Sequence, residues 1–106
     1  MIRQISAVEL NQRLQQGDQF VVLDVREPGE IQVAALPGTL NIPMNQIPSR
    51  AEDLPRDQNL VVMCHHGIRS MHVAGYLSRL GFENLYNLAG GIDAWSRDVD
   101  PKVPTY

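Results

Sequence analysis

The sequence predicts an α/β fold in which a small central parallel sheet is covered by helices on both faces. Two short segments, Phe20–Leu23 and Leu60–Met63, are apolar at every position. Strands have this composition when both faces of a parallel sheet are buried. Segments with helical features alternate with the apolar runs, and such alternation is typical of parallel sheets. The 106 residues fit a single domain, which we take to span residues 1–106.

The first helix is delimited by capping residues on both sides. Ser6 stands three residues before Glu9, which is the spacing of a capping box. This predicts a helix that runs to Gln16, where Gly17 supplies the stop. The first apolar strand is expected immediately afterwards.

The stretch between the two apolar runs is rich in proline and glycine and therefore predicts loops. These residues are Pro28, Gly29, Pro37, Gly38, Pro43 and Pro48. A short strand is expected around residues 40–42. The polar tract 48–59 is expected to hold one helical turn.

The C-terminal half continues the alternation of strands and helices. A helix is predicted over residues 69–80, because Val73 and Leu77 lie on one apolar stripe and Gly81 ends the segment. A third strand is expected over 84–88 and a short helix over 92–97. Two expectations concern the end of the chain. Trp95 is expected in the core, and the proline-containing tail 99–106 is expected to lie extended over the surface.

Composition excludes several classes of function. The chain has nine lysine and arginine residues against twelve acidic ones and no basic stripe, so nucleic acid is not expected as a partner. No apolar run has the length of a bilayer-spanning helix, and the first residues lack the apolar core of a signal peptide. We therefore expect no membrane association and a cytoplasmic location, where a lone thiol stays reduced.

The chain contains one cysteine, Cys64. A single thiol excludes an internal disulfide, a CxxC redox pair and any multi-cysteine metal cluster. Cys64 follows the second apolar strand directly, and Asp24 follows the first. Because ligands of such sheets bind beyond the carboxyl ends of the strands, both residues are candidates for a functional site.

The segment after the second strand has the features of an anion-binding loop. It reads Cys64-His65-His66-Gly67-Ile68-Arg69-Ser70. Backbone N–H groups in such a loop can point at one centre, and the following helix adds free N–H groups and its positive dipole end. Gly67 permits a backbone conformation that a side chain disfavours. These surroundings favour a cysteine thiolate, so we predict that Cys64 is a nucleophile and not an inert buried thiol.

Four segments, in order and at matching spacing, resemble the signatures of the rhodanese family. They are Leu23–Pro28, Leu36–Pro43, Val61–Cys64 with Gly67 and Arg69–Ser70, and Leu88–Trp95. The resemblance covers about residues 5–106 and implies a rhodanese-like fold and a single-domain sulfurtransferase. In that family a cysteine takes the outer sulfur of thiosulfate, releases sulfite, and passes the sulfur from a persulfide to cyanide or another thiophilic acceptor.

The resemblance also implies a role for each candidate residue. Cys64 corresponds to the nucleophile, and the loop residues form the substrate cradle. That cradle comprises His65, His66, Gly67, Ile68, Arg69 and Ser70. Asp24 and Arg26 correspond to a pair that shapes the site from the neighbouring strand. No metal is expected, because adjacent residues such as His65 and His66 rarely bind one ion and a structural site needs four ligands, and no organic cofactor is expected.

Three of these residue types allow more specific expectations. Arg69 lies in the first turn of its helix, where a cation is disfavoured, so an anionic partner is expected, either thiosulfate or Asp24. The two histidines are expected to line the rim of the pocket and modulate its charge. Asp24 is expected to bind a buried N–H group or an arginine. For Arg26, a salt bridge under the loop and contact with the incoming anion both stay open.

The sequence departs from the family pattern in two places. Ala34-Ala35 precedes Leu36-Pro37 where many relatives carry Gly-His. The active-site loop also lacks the Gly-Ser/Thr-Gly-Val-Thr pattern of relatives that use mercaptopyruvate. The expected sulfur donor is therefore thiosulfate or a persulfide.

Alternative functions differ in how well they fit the loop. Dual-specificity phosphatases of a related fold need five residues between the cysteine and the arginine, whereas four separate Cys64 from Arg69 and Ser70 takes the next position. A phosphatase is therefore disfavoured. A non-catalytic interaction module stays open, although such modules usually lack the cysteine. Relay of the persulfide to a protein acceptor also stays open, and the chain is expected to be a monomer or a weak homodimer.

Overall fold

The structure, a computed structural model, describes residues 2–106 and contains one five-stranded sheet with every pairing parallel. The strands, in the spatial order β1-β5-β4-β2-β3, are β1 (Ile2–Ile5), β2 (Phe20–Asp24), β3 (Leu40–Asn41), β4 (Asn59–Met63) and β5 (Leu85–Leu88). The helices are α1 (Ala7–Gln15), α2 (Pro28–Val33), α3 (Ile47–Arg50), α4 (Ile68–Arg79) and α5 (Gly91–Asp98), with short 3₁₀ turns at Met44–Gln46 and Ala51–Asp53. Within the described part of the chain, no helix combines the length and apolar character needed to cross a membrane.

Alternate residues of the central strand β4 face two separate hydrophobic clusters. Leu60 and Val62 pack in the cluster that includes residues of α3 and α4. Val61 and Met63 pack in the cluster that includes residues of α1 and α5. All four side chains are buried because β4 is paired on both edges and covered on both faces. The predicted α/β fold, with helices on both faces of a parallel sheet, is confirmed.

The sheet also determines where Cys64 lies. Side chains of a strand alternate between faces, and Cys64 continues the alternation of Leu60 and Val62 into the cluster beside α4. It is the first residue beyond β4, at the carboxyl edge of the sheet. Asp24, the last residue of β2, pairs in register with Met63, so both strand ends meet at this edge.

Most predicted elements are present within one or two residues of their expected ends. The Ser6 hydroxyl accepts a hydrogen bond from the Glu9 N–H group at 3.0 Å, as the capping spacing predicts. The helix predicted over 69–80 is α4, and the strand predicted over 84–88 is β5. The polar tract 48–59 contains most of α3 and one 3₁₀ turn.

Two elements were not predicted. The edge strand β1 pairs only with β5, and its residues Arg3 and Gln4 are exposed, so it lacks the continuous apolar run of a buried strand. The helix α2 lies in the stretch expected to be a loop because of Pro28 and Gly29. Proline is favoured at the first position of a helix, and the Glu27 N–H group donates to the Glu30 side chain at 3.2 Å, which caps α2.

The expectation that the tail lies extended over the surface is wrong in part. Val103 is buried and packs in the cluster formed with α1 and α5. Its N–H group donates to the carbonyl oxygen of Asp100 at 3.1 Å, which closes a turn and leads the last residues back across the domain. Trp95, expected in the core, is partly buried and packs against the same cluster.

The start of α5 is bound to the loop that follows β4. The Ile92 and Asp93 N–H groups donate to the carbonyl oxygens of Cys64 and His65, at 2.9 and 3.1 Å. Gly91 has a φ of +61°, and a Cβ atom there would overlap both of these carbonyl oxygens. Only glycine allows the two segments to approach this closely.

We predict that Gly91→Ala lowers the free energy of unfolding by about 3 kcal/mol, because the methyl group adds backbone strain and displaces two carbonyl groups. The measurement is urea denaturation. Gly29→Ala is the control, since a methyl group there would meet no other part of the chain within 4 Å and the φ of Gly29 is not positive. If Gly91→Ala were as stable as the control, the close approach of Gly91 to the carbonyl oxygens of Cys64 and His65 would be contradicted.

Candidate active site

The Cys64 side chain lies at the centre of the loop between β4 and α4 and is only 1% exposed. Its Sγ atom accepts a hydrogen bond from the Gly67 N–H group at 3.0 Å and lies 3.4 Å from the Ser70 hydroxyl. Gly67 has a φ of +101° and immediately precedes α4. This left-handed conformation turns the chain from the strand into the helix within three residues of the thiol.

The peptide groups of the loop make hydrogen bonds to two partners, the start of α5 and the Cys64 thiol. In a trans peptide the carbonyl and N–H groups point in opposite directions. Because the carbonyl of His65 faces the start of α5, the N–H group of His66 points away from α5 and towards the thiol. The loop therefore directs N–H groups to the sulfur, while its carbonyl oxygens accept hydrogen bonds from the start of α5.

These surroundings favour the ionised form of Cys64. Burial raises the pKa of the thiol, but hydrogen bonds from the Ser70 hydroxyl and from the N–H groups of Ser70, Gly67 and His66 lower it. The net result is a pKa below the ordinary value of a cysteine. A thiolate held by N–H donors has the chemistry of a nucleophile, and the same donors can hold a negative charge on a second sulfur.

Buried polar side chains support the hydroxyl of Ser70. Ser70 and Asn87 are both buried, and while Cys64 is a thiol the Ser70 hydroxyl accepts from Sγ and donates its one proton to Oδ1 of Asn87. When Cys64 ionises, the same proton can turn to Sγ, 3.4 Å away. Nδ2 of Asn87 donates to the Gln4 side chain at 3.0 Å and to the carbonyl oxygen of Gly67 at 3.3 Å. Asn87 thus joins β1, β5 and the loop, and it orients both Ser70 and Gly67.

Asp24 and Arg26 form a buried ion pair beneath the loop. Both side chains are 0% exposed, and the Arg26 guanidinium donates to the two Asp24 oxygens at 2.9 and 2.7 Å. A further N–H donates to the carbonyl oxygen of Ala34 at 2.8 Å. Of the two interpretations that the sequence leaves open for Arg26, the structure shows the salt bridge.

Arg69 binds an acidic residue that the sequence did not indicate. Its guanidinium donates to the two carboxylate oxygens of Glu30 in α2, at 2.6 and 2.8 Å. The expectation that Asp24 is the partner within the protein is therefore wrong, since Asp24 is occupied by Arg26. The hydrogen bond from Arg69 is the main reason that the pKa of Glu30 falls to about 2, against an opposing effect of burial.

The last residue of the chain reaches the active-site loop. The Tyr106 ring stacks on His65 with a centroid distance of 3.8 Å and an interplanar angle of 6°. Its hydroxyl donates to Glu30 at 2.8 Å and accepts from Arg26 at 2.9 Å. Tyr106 therefore links the two ion pairs of the site.

The rings of His65 and His66 lie in contact beside the loop, tilted by 33° to one another. Their ring centroids lie 3.8 Å apart, and the His66 Nε2 atom lies 4.0 Å from the Asp93 carboxylate. The ligand atoms of His65, His66 and Asp93 all lie within 4.8 Å of one another. Three ligands are fewer than a structural zinc site uses, so the absence of a metal stays our prediction. Burial, followed by the charge of His66, lowers the pKa of His65 and favours its neutral form.

Comparison with known proteins finds a family profile that covers most of the chain. The family profile described as a rhodanese-like domain matches residues 6–98. The chain belongs to the rhodanese family. The matched segment contains Asp24, Arg26, Glu30, the complete loop and Asn87.

Individual relatives agree with this assignment. The chain is 37% identical to a protein named sulfurtransferase from Allochromatium vinosum, and the match covers 97% of this chain and 96% of that protein. It is 39% identical to a chloroplastic rhodanese-like/PpiC domain-containing protein of Arabidopsis thaliana, covering 99% of this chain but only 38% of the longer relative. The crystal structure of a rhodanese-related protein from Thermoplasma volcanium superposes with a TM-score of 0.83 at 34% identity, covering 92% and 93% of the two chains.

The structure brings some of the residues expected in this rhodanese site together and separates others. Cys64 contacts both Gly67 and Ser70, whereas the Ile68 side chain is 71% exposed. The residues that the sequence analysis missed are Gln4, Glu30, Asn87, Asp93 and Tyr106. The only available signals were the capping spacing of Glu27 and Glu30 and the polar Asn87 within an otherwise apolar strand.

We predict that Ser70→Ala raises the pKa of the Cys64 thiol, because it removes the hydroxyl that stabilises the thiolate. The rate of alkylation by iodoacetamide, measured across pH, then rises at higher pH than in the wild type. Ser96→Ala is the control, since Ser96 is also buried but its hydroxyl donates to the carbonyl oxygen of Ile92 in α5. An unchanged pH profile in Ser70→Ala would show that the hydroxyl does not stabilise the thiolate.

Proposed function

We propose that this domain transfers a sulfane sulfur from thiosulfate or a persulfide donor to a thiophilic acceptor through a Cys64 persulfide. Membership of the rhodanese family supports a sulfurtransferase in general. The observation that carries the specific proposal is the convergence of loop N–H groups and the Ser70 hydroxyl on Sγ of Cys64. Cyanide, a small thiol or a protein thiol fits the chemistry of the acceptor.

The first step is a nucleophilic displacement at the outer sulfur of the donor. The Cys64 thiolate forms a bond to that sulfur, the sulfur–sulfur bond of the donor breaks, and its electron pair leaves on sulfite or on the thiolate of the donor. The product is a persulfide on Cys64. Its terminal sulfur carries the negative charge and can accept the N–H hydrogen bonds that held the thiolate.

The second step restores the enzyme. The acceptor attacks the terminal sulfur, the bond between this sulfur and Sγ breaks, and its electron pair returns to Sγ as the thiolate. Atoms and electrons balance over the two steps without an added oxidant or reductant. The lowered pKa of Cys64 raises the fraction of the cysteine that is present as thiolate, which reduces the need for a general base.

A protein thiol is an acceptor that one further observation favours. Ile68, the first residue of α4, is 71% exposed, and Met71 is exposed one turn further along the helix. Both residues line a groove of about 640 Å³ next to the loop. Exposed apolar side chains beside a reactive group are typical of surfaces that receive another protein.

We predict that thiosulfate or a small-molecule persulfide adds one sulfur atom to the intact protein and that cyanide removes it. Intact-mass spectrometry measures both changes. Cys64→Ala is expected to gain no sulfur while keeping the wild-type circular dichroism spectrum, since alanine fills the buried position with a smaller apolar side chain. Sulfur uptake by Cys64→Ala would show that another group carries the sulfur. If the wild type gained no sulfur from either donor, the domain would be a non-catalytic module.

A further inference from the structure

We propose that Glu30 is a specificity-determining residue that neutralises Arg69 and thereby makes Cys64 prefer persulfides of uncharged thiols to the thiosulfate dianion. This inference rests on the proposed function and names its donor class. The inference is based on the carboxylate partners of the two arginines of the site, Arg26 and Arg69, and on the hydrogen bonds that hold those carboxylates in place.

Arg69 has the position of a residue that binds an anionic donor. It is the second residue of α4, directly after the loop that surrounds the thiol. The hydrogen bond to Glu30 has the largest effect in raising the pKa of Arg69, and the negative charge of Cys64 is among the smaller contributions. Arg69 lies in the chain between Gly67, whose N–H group donates to Sγ, and Ser70, whose hydroxyl is 3.4 Å from Sγ, so its charge acts beside the sulfur. Its hydrogen bonds, however, are made to Glu30 at 2.6 and 2.8 Å.

Glu30 is held in this position by three different parts of the chain. Its Oε1 atom accepts from the Glu27 N–H group at 3.2 Å, and its Oε2 atom accepts from the Tyr106 hydroxyl at 2.8 Å. It also lies in the first turn of α2, where the helix dipole favours a carboxylate. Arg69 also donates to both oxygens, so residues of α2, α4 and the tail together hold the Glu30 carboxylate in place.

The second arginine of the site is neutralised in the same way. Arg26 donates to both oxygens of Asp24 and is fully buried, so its charge is compensated beneath the loop. Backbone N–H groups and the Ser70 hydroxyl are then the donors left to the sulfur substrate. They suit a donor of low charge, whereas a dianion gains no uncompensated guanidinium at the site.

The expected effect of changing this balance follows from electrostatics. One unit of charge at the rim of the site, partly screened by water, changes the reaction rate of a monoanion by about fivefold. A dianion responds about twice as strongly on a logarithmic scale. An uncharged reagent of the same size is expected to change less than about twofold.

The test compares Glu30→Gln, the wild type and Arg69→Gln, which differ stepwise in the charge of this pair. The first readout is the alkylation of Cys64 by iodoacetate relative to iodoacetamide, two reagents of similar size that differ by one charge. The second is the rate of sulfur uptake from thiosulfate relative to the persulfide of 2-mercaptoethanol. Both ratios are expected to be highest in Glu30→Gln and lowest in Arg69→Gln.

Two further variants separate charge from packing. Glu9→Gln removes a carboxylate at the corresponding third position of α1 and is expected to keep both wild-type ratios. Glu30→Asp keeps the charge but shortens the side chain, so its iodoacetate-to-iodoacetamide ratio is expected within about twofold of the wild type. A ratio in Glu30→Asp that equals the ratio in Glu30→Gln would assign the effect to packing and overturn the proposal.

The remaining outcomes distinguish this proposal from the proposed function. If the wild type takes up sulfur and Glu30→Gln leaves both ratios unchanged, donor selection by Glu30 is wrong while the sulfurtransferase function stands. If the wild type takes up sulfur from neither donor, the proposed function is wrong, and donor selection is wrong with it.

Discussion

The turn of the backbone between Cys64 and Gly67 is the constraint on which the rest of the site depends. The start of α5 donates N–H groups to the carbonyl oxygens of Cys64 and His65, and the His65 carbonyl, held in this way, leaves the N–H group of His66 directed to the thiol. Gly67 supplies the left-handed conformation, and Gly91 supplies the space. The N-termini of α4 and α5 therefore have different roles, since α4 faces the sulfur and α5 binds the loop.

Charge compensation around the thiol follows from the same arrangement. The loop holds a negative sulfur with neutral donors, and the two nearby arginines are matched by Asp24 and Glu30. A fully buried ion pair adds little net stability, because removing both charges from water offsets their attraction. The pair of Asp24 and Arg26 is better understood as a positioning device that joins the end of β2 to Ala34 and Tyr106.

Whether a strand or helix could be predicted from the sequence depends on how many of its side chains are buried. The strands β2 and β4 are buried on both faces and are visible as apolar runs, and α4 has a clear apolar stripe. The edge strand β1 is stabilised by backbone pairing with β5, which leaves Arg3 and Gln4 exposed and gives no hydrophobic pattern. The helix α2 has no buried residue, so only its capping could have revealed it among prolines and glycines.

The amino-acid sequence alone determined the α/β class, the position of Cys64 at a strand end, and the place of Gly67 before a helix, because these depend on local patterns within a few residues. The tertiary structure alone decided the partners of the polar side chains. Glu30 and Arg69 are 39 positions apart, and Arg26 and Tyr106 are 80 apart. Their pairing depends on how the sheet, α2 and the tail meet in space. No local pattern encodes that, since a charged side chain accepts any partner that the fold brings within reach.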